Sequence, residues 1–231
     1  MDMGARRGMV MAIVTEAPMD AQTFLTLNRW FSPALPTGAF AFSHGLESEV
    51  AAGRLNSAED VQDWLAAVLE YGTGRNDAIL LAASWRADTA ERAELAELAV
   101  ALAAGADRAT ETCAQGAGFG AALAGSGEMD LPPWPLPIAV GAAAQRAGLP
   151  LGTTLLVYLQ NFASNLVTIA VRHVPLGQSE GQAILARLAP LIQQIAEDAL
   201  HSTTDDLGSC TFAADMASLE HETLQPRIFR S

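Results

Sequence analysis

Between Ala147 and Val171 the chain carries no charged residue, and apolar side chains recur along one face of it. Leu155, Leu159, Phe162, Leu166 and Ile169 follow one another at spacings of four, three, four and three. That period is helical, since residues three and four apart share a helix face, whereas a strand alternates faces at every residue. A span this long raises the question of a membrane helix, which needs about 20 mostly apolar residues. However, Thr153, Thr154, Gln160, Asn161, Ser164, Asn165 and Thr168 are scattered through it, and Pro150 and Gly152 stand at its start. The pattern fits a helix at the centre of a bundle better than one in lipid.

The rest of the chain repeats the helical period. Phe24, Leu27 and Phe31 form a first short stripe that Pro33 ends. Leu46 to Ala52 reads as a helix stopped by Gly53. Ser57 and Asp60 resemble a capping box for the next helix, whose apolar face is Val61, Trp64, Leu65, Val68 and Leu69. Further helices are predicted at about 77–87, 90–104 and 107–124. A later one carries Ile184, Leu188, Leu191 and Ile195, with Pro190 as an expected kink. GSGEMDLPPWPLP, from Gly125 to Pro137, is the clearest loop, because clustered prolines cannot continue a helix. Composition does not change across it, so it is no domain boundary. The expected fold is all-α: one helical bundle of about eight to ten helices over residues 22–231, preceded by a disordered arm over residues 1–21.

Composition narrows the function. Half of the 231 residues are apolar and only 17% are charged, which is globular rather than disordered. A net charge of −13 argues against binding nucleic acid or an anionic membrane, since both need a basic face. All 13 basic residues are arginine. Without lysine there is neither a GK[ST] phosphate loop nor a lysine Schiff base. Any nucleotide chemistry must come from a partner. Cys113 and Cys210 are too few and too far apart for a disulfide framework or zinc site and read as reduced thiols. The apolar patch from Met9 to Val14 is shorter than most secretory apolar regions of ~7–15 residues.

Few motifs carry chemistry. GAGFG, Gly116 to Gly120, lacks the spacing and the preceding strand of a dinucleotide loop, and reads as close packing through small residues. His44, His173, His201 and His221 form no local metal-binding pair, so neither metal nor cofactor is expected. In LPTGAFAFSHGLE, Leu35 to Glu47, neighbouring Ser43 and His44 point about 100° apart on a helix, and no nucleophile elbow is present. The mechanical reading is more economical. Pro36 and Gly38 set a turn, Ser43 caps the following helix, and Phe40 and Phe42 either meet a partner or plug the core. Arg172 either meets a partner or complements the dipole at the end of a long helix. Arg227 and Arg230 flank Ile228 and Phe229 in a tail expected to order on a partner.

Three stretches together resemble the UreF family of urease accessory proteins. They are LNRWFSPALPTGAFAFSHGLE, YLQNFASNLVTIAVRHVPLGQSEGQAIL and HETLQPRIFRS, and the resemblance covers about residues 22–231. It implies an all-α, cytoplasmic homodimer without enzyme activity. Such proteins work with UreD (also called UreH) and the GTPase UreG on apo-urease, assisting nickel and the carbamylated lysine into its active site. They are thought to bridge UreD and UreG and to modulate the GTPase step. Where the family often carries lysine this chain has Arg172, which can also stabilise phosphoryl charge. The residues expected to contact partners are Phe40, Phe42, His44, Glu47, Arg172, Gln178, Gln182, His221, Glu222, Arg227, Phe229 and Arg230, with residues 222–231 as the partner-binding tail. The alternative from another class is a helical hydrolase or lyase using His44, Glu47 and His221 as acid and base, which requires them to converge in one pocket.

Overall fold

The computed structural model describes residues 20–231 and is all-α, with ten α-helices, two short 3-10 turns and no strand among those residues. The helices are α1 (Ala21–Trp30), α2 (Leu46–Ala51), α3 (Ala58–Tyr71), α4 (Thr73–Arg86), α5 (Thr89–Ala101), α6 (Ala106–Gly125), α7 (Leu136–Arg146), α8 (Leu151–His173), α9 (Gln178–His201) and α10 (Phe212–His221). The expected arm lies mostly outside the described residues, but at its end Asp20 already caps α1 by accepting from the Gln22 and Thr23 amides. Of the predicted stripe, Leu27 is buried, Phe31 is partly buried against the core and Phe24 is half exposed, while Trp30, outside that stripe, is buried.

The long uncharged helix, α8, lies in the middle. Leu155, Leu159, Leu166 and Ile169 are buried, and α8 packs against α9 and α4. Its length and composition alone suffice to cross a membrane, with mean hydropathy 1.4 in its most apolar window, yet its apolar stripe is consumed by neighbouring helices. α9 runs through Pro190 without a break, with that residue on an exposed side. The capping box at Ser57 and Asp60 forms as predicted, and Val61, Trp64, Leu65, Val68 and Leu69 are all buried.

Small residues set the closest helix approach. On α7, Ala139, Ala142, Ala143 and Ala144 are fully buried, and α7 lies along α4. Ser84 Oγ donates to the Ile138 carbonyl at 2.8 Å, a bond that needs near backbone contact. A methyl group added at Gly141 would lie 2.5 Å from the Leu81 carbonyl oxygen. The loop between α6 and α7 is tied back to α1, where Glu128 accepts from both Arg29 and the Trp30 indole.

Gly141→Ala should therefore force α4 and α7 apart and cost about 1–3 kcal/mol, as overpacking does. Gly125→Ala, at a helix end with open space around it, should be neutral or stabilising by a few tenths to about 1 kcal/mol. Thermal unfolding of the two variants beside the parent protein checks both.

Candidate functional site

The Leu35–Glu47 segment is neither an open loop nor a helix start capped by serine. Gly38 takes φ +76 and opens a 3-10 turn over Ala39–Ala41, the backbone freedom its position required. The segment lies against α6, where a methyl group at Gly118 would come 2.9 Å from the Thr37 carbonyl. A methyl group at Gly116 would come 2.0 Å from the Trp134 carbonyl. The GAGFG cluster therefore does admit close backbone approach, by loops rather than by another helix. The N-cap of α2 is Gly45, at φ +79, and not Ser43. Ser43 is fully buried, and its hydroxyl donates to the main-chain oxygen of Ser231.

The tail is docked on this segment, which corrects the expectation of a segment left free until a partner arrives. The Arg230 amide donates to the Ala41 carbonyl at 2.8 Å, and the Ser43 amide donates to the Ser231 oxygen at 2.6 Å. Glu47 takes the centre: its Oε1 accepts from the Ile228 amide at 2.7 Å, and its Oε2 from the Phe229 amide at 3.0 Å. The same Oε2 lies 2.9 Å from His221 Nε2. On the far side of that ring, Nδ1 lies 2.8 Å from Asp107 Oδ2, which also accepts from Arg227 at 3.1 Å. Phe229 packs edge-on against His173 of α8, with ring centroids 5.0 Å apart, and the Arg230 guanidinium covers Phe42.

A second ionic layer lies beneath. The Ser231 hydroxyl donates to Glu111 at 2.7 Å, and Arg108 pairs with the same carboxylate at 3.1 Å. Arg108 also faces Asp77 at 3.9 Å, and Tyr158 donates to Asp77 at 2.7 Å. His44 lies 3.5 Å from Glu111 and edge-on to Phe162. Its φ of +59 is a left-handed conformation that costs a residue with a Cβ about 1–2 kcal/mol. Burial pushes the Glu111 carboxyl upward, but Arg108, His44 and Ser231 outweigh it and hold it at about 2. Glu47 is likewise raised by burial but held lower overall by His221 and the two tail amides. For Asp77 burial wins, and its carboxyl is raised despite Arg108 and Tyr158.

Of the residues singled out in the sequence, Phe42, His44, Glu47, His221 and Phe229 are buried. In this conformation they work inside the chain, so the expectation that they contact a partner directly gives way to a role in seating the tail. Phe42 takes the core-plugging reading. Phe40, Arg172, Gln178, Gln182, Glu222, Arg227 and Arg230 remain exposed. Asp107, Arg108 and Glu111 went unnoticed, although three charges in one turn of a helix otherwise rich in alanine and glycine were a signal. The acid–base alternative meets an obstacle in the ring itself, because both His221 nitrogens already face carboxylates. The cavity of about 80 Å³ that His44 lines is bounded by Asp77, Arg108 and Ser218, but not by Glu47 or His221. No group of metal ligands occurs among the described residues.

The pH dependence has a definite sign. Glu47 and Glu111 sit below their ordinary value of 4.5, so their contribution is complete above it and is lost as pH falls through the folded values. Asp77, displaced upward from 3.8, acts oppositely and favours the native state more as pH falls. With Glu111 held at about 2, the loss on acidification is on the order of 3 kcal/mol. The Ile228 and Phe229 amide signals should report a docked tail at about pH 5 and its progressive release on further acidification. Glu47→Ala should release it without acid, at a cost of about 1–3 kcal/mol for each buried tail amide left without its acceptor.

The UreF family model matches residues 55–189. A urease accessory protein UreF from Cereibacter sphaeroides (strain KD131 / KCTC 12085) is 50% identical over 207 residues, covering 90% of this chain and 98% of its own. The one from Roseobacter denitrificans (strain ATCC 33942 / OCh 114) is 46% identical over 213 residues, covering 92% and 96%. That of Rhodopseudomonas palustris (strain TIE-1) is 41% identical over 234 residues, covering 93% and 96%. On the strength of the family match and of relatives that align along nearly their whole length, the chain belongs to the UreF family of urease accessory proteins.

Proposed function

We propose that the chain is a non-enzymatic, cytoplasmic chaperone that acts as a homodimer with UreD/UreH and the GTPase UreG. It assists nickel assembly in apo-urease and modulates the GTPase step. The observation that carries the reading is the outer side of the docked tail. Ile228 is 73% exposed there, between Arg227 and Arg230, on a protein of net charge −13. What sets Ile228 apart is its place between two arginines, since an apolar knob ringed by arginine is typical of protein interfaces. Since His173 touches Phe229, the end of α8 adjoins the tail, and Arg172 immediately precedes that contact. Gln178 and Gln182 open α9 just beyond it. Phe40, 42% exposed on the 3-10 turn, supplies a separate apolar contact.

This division of labour fits the chemistry of the chain. It has no lysine for a phosphate loop, so the nucleotide belongs to UreG. Arg172, Arg227 and Arg230 stand where a partner can meet them, while Glu47, Asp107 and His221 hold the tail. UreD and UreG occupy different surfaces, one of which includes Arg227, Ile228 and Arg230.

Ile228→Asp, which leaves the Arg227–Asp107 contact in place, should weaken capture of one partner by tenfold or more, the range of losing a central contact of about 2 kcal/mol. Because Ile228 is outside the core, helical content and unfolding temperature should change little. Co-purification with UreD and UreG, followed by urease activation in a reconstituted system, measures the effect. Intact complexes with full activation would remove the tail from the interface.

A further inference from the structure

We propose that His221 is a proton-operated clamp for the tail, which stays docked while the ring carries a proton on both nitrogens and is released when one is lost. The inference rests on the reading of the tail's outer side as a partner surface and supplies its regulation. His221 is completely buried, and each ring nitrogen faces a carboxylate oxygen, Glu47 at 2.9 Å and Asp107 at 2.8 Å. A carboxylate only accepts hydrogen bonds, whereas a neutral imidazole has one donor and one acceptor nitrogen. Both contacts are therefore satisfied only with two protons between them and the ring. A neutral ring opposite two carboxylates would set a lone pair against a carboxylate oxygen, on a ring with no exposed surface of its own.

Both possible sites of deprotonation act on the tail. Loss at Nε2 sets the ring against Glu47 Oε2, the oxygen that accepts from the Phe229 amide. Loss at Nδ1 sets it against Asp107 Oδ2, the oxygen that holds Arg227. The other nearby charges are committed elsewhere. On α10, Glu220 pairs with Arg54 at 2.6 Å, and just past its end Glu222 accepts from the Ala106 amide at 2.7 Å. On α2, Glu49 pairs with Arg54 at 2.8 Å, and on α6, Arg108 pairs with Glu111 at 3.1 Å. In the tail, Arg230 lies over the Phe42 ring. Among the described residues Arg227 is the one cation on the two carboxylates besides the ring, and it reaches Asp107 alone. The clamp thus closes over a pH window, bounded below by protonation of Glu47 and above by deprotonation of His221.

The test is nitrogen NMR of the full-length chain as pH is raised across about 6 to 9, the region where histidine chemistry is normally read. Both His221 nitrogens should be protonated while the Ile228 and Phe229 amides are protected from exchange, and the two signals should be lost with a common midpoint. In Asp107→Asn the side-chain amide can donate to a neutral Nδ1, so both ring contacts survive without the second proton. Protection in that variant should be independent of pH over the same range. A neutral His221 ring in the parent protein with the tail still protected overturns the clamp. Tail release at high pH with unchanged partner capture upholds the clamp and sinks the partner reading. Capture that depends on Ile228 while protection ignores pH does the reverse.

Discussion

One carboxylate holds the tail end of this molecule together. Glu47 is 8% exposed and receives two tail amides and a histidine, so its charge is dispersed over three donors rather than left in the interior. Without them a buried carboxylate would cost several kcal/mol, and without it three donors would be stranded. The tail and the opening motif are therefore a single structure, although about 180 residues separate them in the chain. The same dependence reaches α6 through Asp107 and Glu111, which bind the ring and Ser231 from the other side.

This coupling explains where the sequence could be read and where it could not. Local signals were sufficient for the helices: the stripe of α8, the capping box of α3 and the stop at Gly53 each depend on residues within a turn or two. They also placed the turn at Gly38. What local spacing left open was whether a motif rich in aromatic and ionisable groups faces a partner or the core. Phe42 and Phe40 are two apart and their surroundings are opposite, because the chain leaves the 3-10 turn in extended form at Phe42. The periodicity of a helix or a strand does not report such a reversal. Nor could spacing show that a glutamate in α2, an aspartate in α6 and a histidine in α10 meet, since no local rule ranks pairs so distant. The tail was misjudged for the same reason. Its PRIFRS composition suits a surface, and Ile228 does stand on one, but its main chain is held by groups far away.

The left-handed backbone at His44 belongs to the same arrangement. His44 and Gly45 both take positive φ, which turns the chain sharply from the Phe42 plug into α2 and brings Glu47 under the tail. Glycine bears this conformation without strain, while histidine does so at a cost that its contacts with Glu111 and Phe162 help offset. Gly45 has a further reason to lack a side chain, because a methyl group there would lie 2.9 Å from the Ser218 amide nitrogen on α10. The turn is thus pressed against the helix that carries His221. Backbone geometry and ionic network each require the other.

A site with this much buried charge invites comparison with catalysis, but the charges are arranged to cancel rather than to react. Arg108 lies between Asp77 and Glu111, His221 between Glu47 and Asp107, and each acceptor has its donor. A catalytic base needs a free lone pair within reach of a substrate proton, and His221 has both nitrogens engaged and no exposed surface. A buried ionic network instead specifies one arrangement of segments that hydrophobic contact alone would leave loosely defined. Here it fixes the tail in one register, with Phe229 inward and Ile228 outward. A register shift of one residue would exchange them, burying an arginine or exposing the phenylalanine. The polar interior of this end of the bundle serves to determine which face of a short tail is offered to the outside.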